Sequence, residues 1–244
     1  MSRTALVTGA GQNIGRAVAV ALAADGHNVV VNGLSNRDAA YETAGLVEEA
    51  GAKALVVMGD CGSADDCRAM AGAGIDAFGR IDVLVHNAAI RPSSPFLEMD
   101  EAEWDRVINV NLMGSFWLAR ACLPGMIEAG WGRVILFAGM NAIHGYNGRA
   151  HVSVSKHGNW GLVKSLGKEF GPKGITANMI SPGPIASEHA DPSMTAHNKA
   201  QEGRIPVGRL GQPDEVAATA SLLASDKGAF INGQMIQVNG GTET

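Results

Sequence analysis

The sequence predicts a single α/β domain: a doubly wound, mostly seven-stranded parallel sheet with helices on both faces. Three observations predict it. Short apolar runs alternate with helical patterns from the first residue to the last, the β-α-β-α order of a parallel sheet. The runs are continuously apolar, as in Val29-Val30-Val31 and Val83-Leu84-Val85, without the alternation of a strand wetted on one side. Glycine fills 32 of 244 positions with no Gly-X-Y period, which implies many tight turns and close backbone approaches. Residues 1–244 read as one domain, long enough to bury a sizeable core without a disulfide or metal staple.

Each element follows in order. Thr4–Val7 is the first strand, and Ile14–Ala24, rich in alanine and valine, the first helix. Asn28–Asn32 is the second strand, followed by a helix over Arg37–Ala50 that Gly51 ends. Lys53–Met58 is the third strand, Ser63–Phe78 a helix and Ile81–His86 the fourth strand. A long helix runs from about Glu101 to Glu128, and Pro124 is expected to kink it or divide its end. Arg133–Phe137 is the fifth strand, His151–Phe170 a helix and Thr176–Ile180 the sixth strand. Pro213–Ala224 is a helix with proline at its first position, and Met235–Val238 the last strand. The polar stretch from Pro184 to Arg204 is long for a loop, so it is expected to act as a substrate lid.

Several function classes fall away. Nineteen basic against 24 acidic residues give a net charge of −5, which argues against nucleic acid as a partner. No apolar run reaches the ~18 residues of a membrane span, and Met1–Ala10 reads as a strand and a glycine turn, unlike a signal peptide. Cys61, Cys67 and Cys122 have no CxxC spacing and fit buried thiols in a reducing, cytoplasmic compartment. His189 and His197 match no metal motif, and no metal is expected. His86 reads as a satisfied histidine at a strand end.

The first strand runs into Thr8-Gly9-Ala10-Gly11-Gln12-Asn13-Ile14-Gly15 and then a helix. Such a turn lets backbone approach a pyrophosphate at the positive end of a helix. Further along stand Asp60, His86-Asn87-Ala88-Ala89, Asn109-Val110-Asn111-Leu112, Ser153-Val154-Ser155-Lys156, Ser181-Pro182-Gly183-Pro184-Ile185, Gly208-Arg209-Leu210-Gly211-Gln212-Pro213 and Val238-Asn239-Gly240-Gly241. With these landmarks the whole chain resembles the short-chain dehydrogenase/reductase family, of the 3-oxoacyl-acyl-carrier-protein-reductase-like type. The resemblance implies a Rossmann fold, a small-molecule substrate and NAD or NADP as cofactor. It also implies a homotetramer or homodimer built from the long helices and the C-terminal segment. Gly9, Gly11, Asn13, Ile14, Gly15, Asp60, Asn87, Lys156, Pro182, Gly183 and Ser187 stand at its cofactor-binding positions.

The chain also departs from that family. The resemblance implies Ser, Tyr, Lys and Asn as the catalytic groups, and Lys156 and Asn111 match two of them. Four residues before Lys156, where the tyrosine is expected, stands Val152; the serine's expected place falls on Gly139. Valine neither gives nor takes a proton, and a general acid or base contributes ~10²–10⁴-fold. Asn13 replaces a glycine of the turn, and asparagine tolerates a left-handed backbone better than most residues. The second strand ends in Asn32-Gly33-Leu34, with no carboxylate for an adenosine 2′-OH. Arg37 reads as a solvated first-turn arginine, with a 2′-phosphate contact as the alternative.

The segment from Gly139 to Val152 is dense in polar groups that the resemblance places beside the substrate. Asn141 and Arg149 are expected to anchor substrate. His144, Tyr146, His151 and Lys156 are the candidate acid/base groups, with Asn111 beside them. The leading expectation is therefore non-redox acid/base chemistry on a small carbonyl or hydroxy compound: C–C cleavage, hydrolysis, dehydration or isomerisation. The alternatives are an NAD(P)-dependent oxidoreductase of a small ketone or alcohol with a substitute acid, and a catalytically inactive partner subunit on the same fold.

Overall fold

The computed structural model describes residues 2–139, 144–187 and 202–243. Seven strands form one sheet: β1 (Thr4–Thr8), β2 (Asn28–Gly33), β3 (Ala54–Met58), β4 (Val83–His86), β5 (Gly132–Phe137), β6 (Ile175–Pro182) and β7 (Met235–Val238). Their order is β3-β2-β1-β4-β5-β6-β7. Every neighbouring pair is parallel, so all the carboxyl ends lie along one edge. The seven expected strands are all present, with no end shifted by more than two residues. Every residue of β1, β4 and β5 is buried, as continuously apolar strands require.

Helices cover both faces. On one lie α1 (Asn13–Ala24), α2 (Arg37–Glu49) and the C-terminal helix Pro213–Ala224. They enclose Ala5, Val7, Val29, Val31, Val83 and Val85. On the other lie α3 (Ala64–Phe78), α5 (Gly114–Ala129) and α6 (Ala150–Phe170), over Leu6, Val30, Leu84, Leu136 and Met179. Successive residues of a strand point to opposite faces, so Ala5 and Val7 enter one core while Leu6 enters the other. Each buried valine or leucine contributes about 1.5–3 kcal/mol relative to exposure. The C-terminal helix Pro213–Ala224, here α7, opens with proline at its first turn, and its N-terminal Gln212 and Glu215 form a reciprocal capping box.

The long helix expected over 101–128 is divided, and Pro124 does not divide it. Pro124 lies inside α5. The irregularity falls earlier, where α4 (Glu101–Ile108) passes through a π turn at Asn109–Met113 before α5 begins. Asp100 caps α4 by accepting from Ala102 N at 2.9 Å. Such single π turns are frequent at functional sites, and this one holds Asn111. Of the expected lid, residues 188–201 lie outside the described residues, whereas Ile185 pairs with Gly211 in a short parallel bridge. Among the described residues no helix is long and apolar enough to cross a membrane.

Candidate functional site

In the strand order β3-β2-β1-β4-β5, the direction of winding reverses between β1 and β4. Open α/β sheets bind ligands outside the strand carboxyl ends at such a point. A cleft of about 450 Å³ lies there, within the usual size range of small-molecule sites. Its wall is contributed strand by strand: Gly9 after β1, Asn32 of β2, Gly59 and Asp60 after β3, Asn87 to Arg91 after β4, Phe137 to Gly139 at β5, and Pro182, Gly183 and Ile185 to Ser187 at β6.

The glycine turn is held by its own chemistry. Gly9 and Asn13 have left-handed backbones, φ 60° and 50°, and Asn13 is the one non-glycine with positive φ among the described residues. Asn87 Nδ2 donates to Gly9 O at 3.0 Å, and Gly9 N donates to Asn32 Oδ1 at 3.3 Å. A Cβ on Gly15 would stand 2.1 Å from Gly9 O, so only glycine lets α1 start this close to β1. Gln12, Asn13, Ile14 and Gly15 line the cleft, and the first turn of α1 has no acidic residue. The positive end of a helix thus faces a cleft wall built of backbone, an arrangement that fits a dinucleotide's phosphates. Gly11 is not on the wall; its carbonyl receives the Arg16 guanidinium at 2.8 Å.

Lys156 projects from α6 to the floor of the cleft. It is buried, and Nζ donates to Phe137 O at 2.7 Å. Burial and then the neighbouring Arg91 charge lower its pKa to about 7. The other ionisable neighbours are quiet. His86 is buried, with Nδ1 2.9 Å from Thr8 Oγ1 and Nε2 3.1 Å from Val110 O. Burial and then Lys156 push its pKa down to about 4, so it is a neutral, satisfied ring. Burial pushes the Cys61 thiol up to about 12. For Asp60 burial opposes ionisation, but Arg106 and the Gly62 N–H together outweigh it and hold the carboxyl below its ordinary value. Arg106 Nη1 reaches Asp60 Oδ2 at 2.8 Å, and Gly62 N reaches Oδ1 at 2.8 Å.

Of the eleven positions expected to hold a cofactor, all but Gly11 line this one cleft. The expected acid/base residues are more dispersed. His144 is exposed and paired with Glu243 in the C-terminal segment. Tyr146 is 46% exposed, with the Arg149 guanidinium 5.7 Å from its ring centre. His151 turns away from the cleft: it is fully buried, Nδ1 accepts from Val152 N at 2.9 Å, and Nε2 donates to Glu103 Oε1 at 3.2 Å. Its ring stacks on Trp104 and pins α6 to α4. Asn111 is also fully buried, and its amide grips the backbone of Ile90: Nδ2 donates to Ile90 O and Oδ1 accepts from Ile90 N, both at 2.9 Å. Asn141 lies outside the described residues.

Three cleft groups escape a reading of the sequence. Asn32, taken there only as a missing carboxylate, is 2% exposed and joins β2 to the glycine turn and to Gly59 O at 3.1 Å. Arg106 is one arginine on an amphipathic helix, with no pattern to mark its partner Asp60. Arg91 stands two residues after His86-Asn87-Ala88-Ala89, and that proximity was the available signal. Val152 is fully buried and is not part of the cleft wall. Gly139 is on the wall with φ 136°, and a Cβ there would meet nothing within 4 Å. Among the described residues, no group of three or more His, Cys, Asp or Glu is placed to hold a metal ion.

Known proteins agree with this geometry. A family model described as enoyl-(acyl carrier protein) reductase matches residues 9–243. The 3-oxoacyl-acyl-carrier-protein reductase FabG of Staphylococcus aureus is 36% identical over 241 residues, covering 99% of this chain and 98% of that protein. The acetoacetyl-CoA reductase of Shinella zoogloeoides is 39% identical over 244 residues, covering 99% and 98%. The crystal structure of a putative short-chain alcohol dehydrogenase from Sinorhizobium meliloti superposes with a TM-score of 0.93 at 30% identity, covering 99% and 97%. These relatives are named for redox reactions. That overturns the expectation of C–C cleavage, hydrolysis, dehydration or isomerisation, which had been inferred from two missing hydroxyls while the rest of the chain followed the redox pattern.

Proposed function

The chain belongs to the short-chain dehydrogenase/reductase family, and from that premise we propose that it is a nicotinamide-dependent reductase of a small carbonyl compound in which Lys156 supplies the proton. The observation that carries this reading is Lys156 itself, a buried ammonium on the cleft wall with a pKa of about 7. Proton transfer is most effective when the donor's pKa lies near the working pH.

Elimination among the described cleft residues supports it. The phenol and hydroxyl that the family resemblance leads one to expect are absent from positions 152 and 139, which hold valine and glycine. Asp60 is committed to Arg106. Cys61 keeps its proton up to about pH 12. The guanidinium groups of Arg91 and Arg106 hold theirs too tightly to give them up. Lys156 is left as the group that both enters the cleft and exchanges a proton near neutrality.

Gly9, Asn13, Ile14, Gly15, Asp60, Asn87, Pro182, Gly183 and Ser187 would hold NAD or NADP, with Gly11 shaping the turn beneath. When bound, the reduced nicotinamide supplies the hydride. The protein's own part is to exclude water, to hold the substrate carbonyl beside Lys156, and to give its oxygen a proton. The Lys156 amine then regains one from solvent. Phe137 O orients Nζ throughout. The exposed side chains of Phe116 on α5 and Val154 on α6 support a homotetramer or homodimer, which light scattering on the purified protein would measure.

The test is consumption of NADH and NADPH with a panel of short ketones and oxo acids. Wild-type protein is expected to turn over with one of the two dinucleotides, and Lys156→Met to lose about 10²–10⁴-fold in kcat. Full activity in Lys156→Met, or silence across the panel despite measured dinucleotide binding, would overturn the reading.

A further inference from the structure

The mouth of the cleft is more positive than a chain with a net charge of −5 would suggest. Arg91 lines it and is exposed there. Arg149, which is not itself on the cleft wall, stands at the start of α6, and its loop is tied to the one after Arg91 by Ser94 N donating to Gly148 O at 2.8 Å. Among the described residues neither guanidinium has a carboxylate partner. Glu103, the carboxylate that reaches this pair of loops, is taken by Ser94 Oγ at 2.6 Å and by His151 Nε2 at 3.2 Å.

The positions are built, not incidental. The residue before Arg91 is clamped at both its N–H and its C=O by the buried Asn111 amide. The residue before Arg149 carries the loop-tying carbonyl, and the Tyr146 ring lies against the Arg149 guanidinium. Neighbouring cations cost electrostatic energy that an anion bound by both would relieve. After burial, Arg149 is what weakens the hold of Arg91 on its proton, and Arg91 does the same to Lys156.

We propose that Arg91 and Arg149 form the docking point for an anionic group on the substrate, so that the preferred substrate is a short oxo acid and not a neutral ketone. This rests on the reductase reading, since the anion is docked next to the carbonyl that Lys156 protonates. An anion here has two sources, the substrate and a dinucleotide phosphate. The substrate is favoured because the backbone cradle for phosphates, from Gly9 to Gly15, belongs to the β1 turn, whereas Arg91 lies near Lys156 and Arg149 stands at the start of α6. Planar guanidinium forks suit a carboxylate in particular.

Binding measured without turnover separates this proposal from the reductase reading. Calorimetric titration of the full-length protein, saturated with oxidised dinucleotide, would use pyruvate, acetoacetate and 4-oxopentanoate, each against its ethyl ester. At least one acid should bind about tenfold tighter than its ester. Arg91→Gln and Arg149→Gln should each abolish that preference, while Arg149→Lys keeps part of it. Equal affinity for every acid and ester, or no acid binding at all, would overturn the proposal. So would variants that lose dinucleotide affinity and keep the acid preference, because Arg91 and Arg149 would then serve the phosphates. Acid preference with no turnover of any acid would leave the docking point standing and sink the reductase reading.

Discussion

Asn13 occupies a left-handed backbone that most L side chains adopt at a cost of roughly 1–2 kcal/mol. Asn13→Ala is therefore expected to lower unfolding free energy by about 1 kcal/mol in urea denaturation, and Asn13→Gly to leave it within about 0.5 kcal/mol. Equal losses in both variants would show that the side chain, and not the backbone, is what the turn needs. Lys156 makes a pH prediction. Its ordinary pKa of 10.5 falls to about 7 in the fold, so the unfolded chain holds the extra proton between those values. Where the unfolded state binds more protons, stability rises with pH. The penalty from this group is thus full below about pH 7 and fades toward pH 10. The stability advantage of Lys156→Met over wild type should be greatest near pH 6 and should shrink by about pH 9, as read from paired urea melts. On the proposed function the protonated form is the donor, so carbonyl reduction should fall as pH rises through about 7 and alcohol oxidation should rise. At this scale the sequence was partly legible. Asn13 could be read because its replacement of glycine has one backbone meaning. The direction of His151 could not, because it depends on where Glu103 and Trp104 of α4 come to rest, nearly fifty residues earlier in the chain.

Between α4 and α5 the π turn adds Val110 to the cleft wall and shapes the site through Asn111. Asn111 faces the β4 loop from this turn, and its amide satisfies both backbone groups of Ile90. Asn111→Ala would leave a half-buried N–H and C=O unpaired, at about 1–3 kcal/mol each when no water reaches them. Its stability should fall by at least about 2 kcal/mol, and its KM for an acid substrate should rise more than its kcat falls. A kcat loss alone would place Asn111 in the chemistry instead. His151→Phe should lower stability through the lost Glu103 contact while turnover persists, and a dead but folded variant would restore His151 to the reaction. Strands were readable because each is apolar from end to end, which only burial on both faces rewards. The π turn was not, because one extra residue shifts a helix's apolar phase by about 100°, a step that a short stretch such as Asn109–Met113 does not separate from ordinary scatter of apolar residues. Pro124 misdirected the expected break for a related reason: a proline's effect depends on its helical neighbours, and α5 carries it within one continuous helix.

Taken as one body, the molecule keeps its nucleophilic sulfur out of reach. Cys61, Cys67 and Cys122 are buried, and burial pushes all three thiols up to about 12. A thiol-reactive dye at neutral pH should label none of them in the native protein and all of them in denaturant, at the rate of global opening. Fast labelling of one thiol in the folded state would reveal a local opening at that site. The reaction class was the part the sequence misstated. Valine and glycine at positions 152 and 139 suggested that hydride chemistry had been abandoned, yet ten of the eleven positions expected to hold a cofactor line one cleft. A local loss outweighed a pattern spread over the whole chain, and that pattern becomes visible only when strand ends are assembled.

The sheet order also governs when the protein can come into being. The strand made first lies in the middle, and its partner across the switch point is made 78 residues later, where Thr8 meets His86. A nascent chain therefore exposes β1 with one edge unpaired until β4 has left the ribosome, and such edges invite wrong pairing. Closure of that distant contact is entropically slow. Synthesis that pauses before β4 has emerged should raise aggregation, whereas a pause after its emergence should be tolerated.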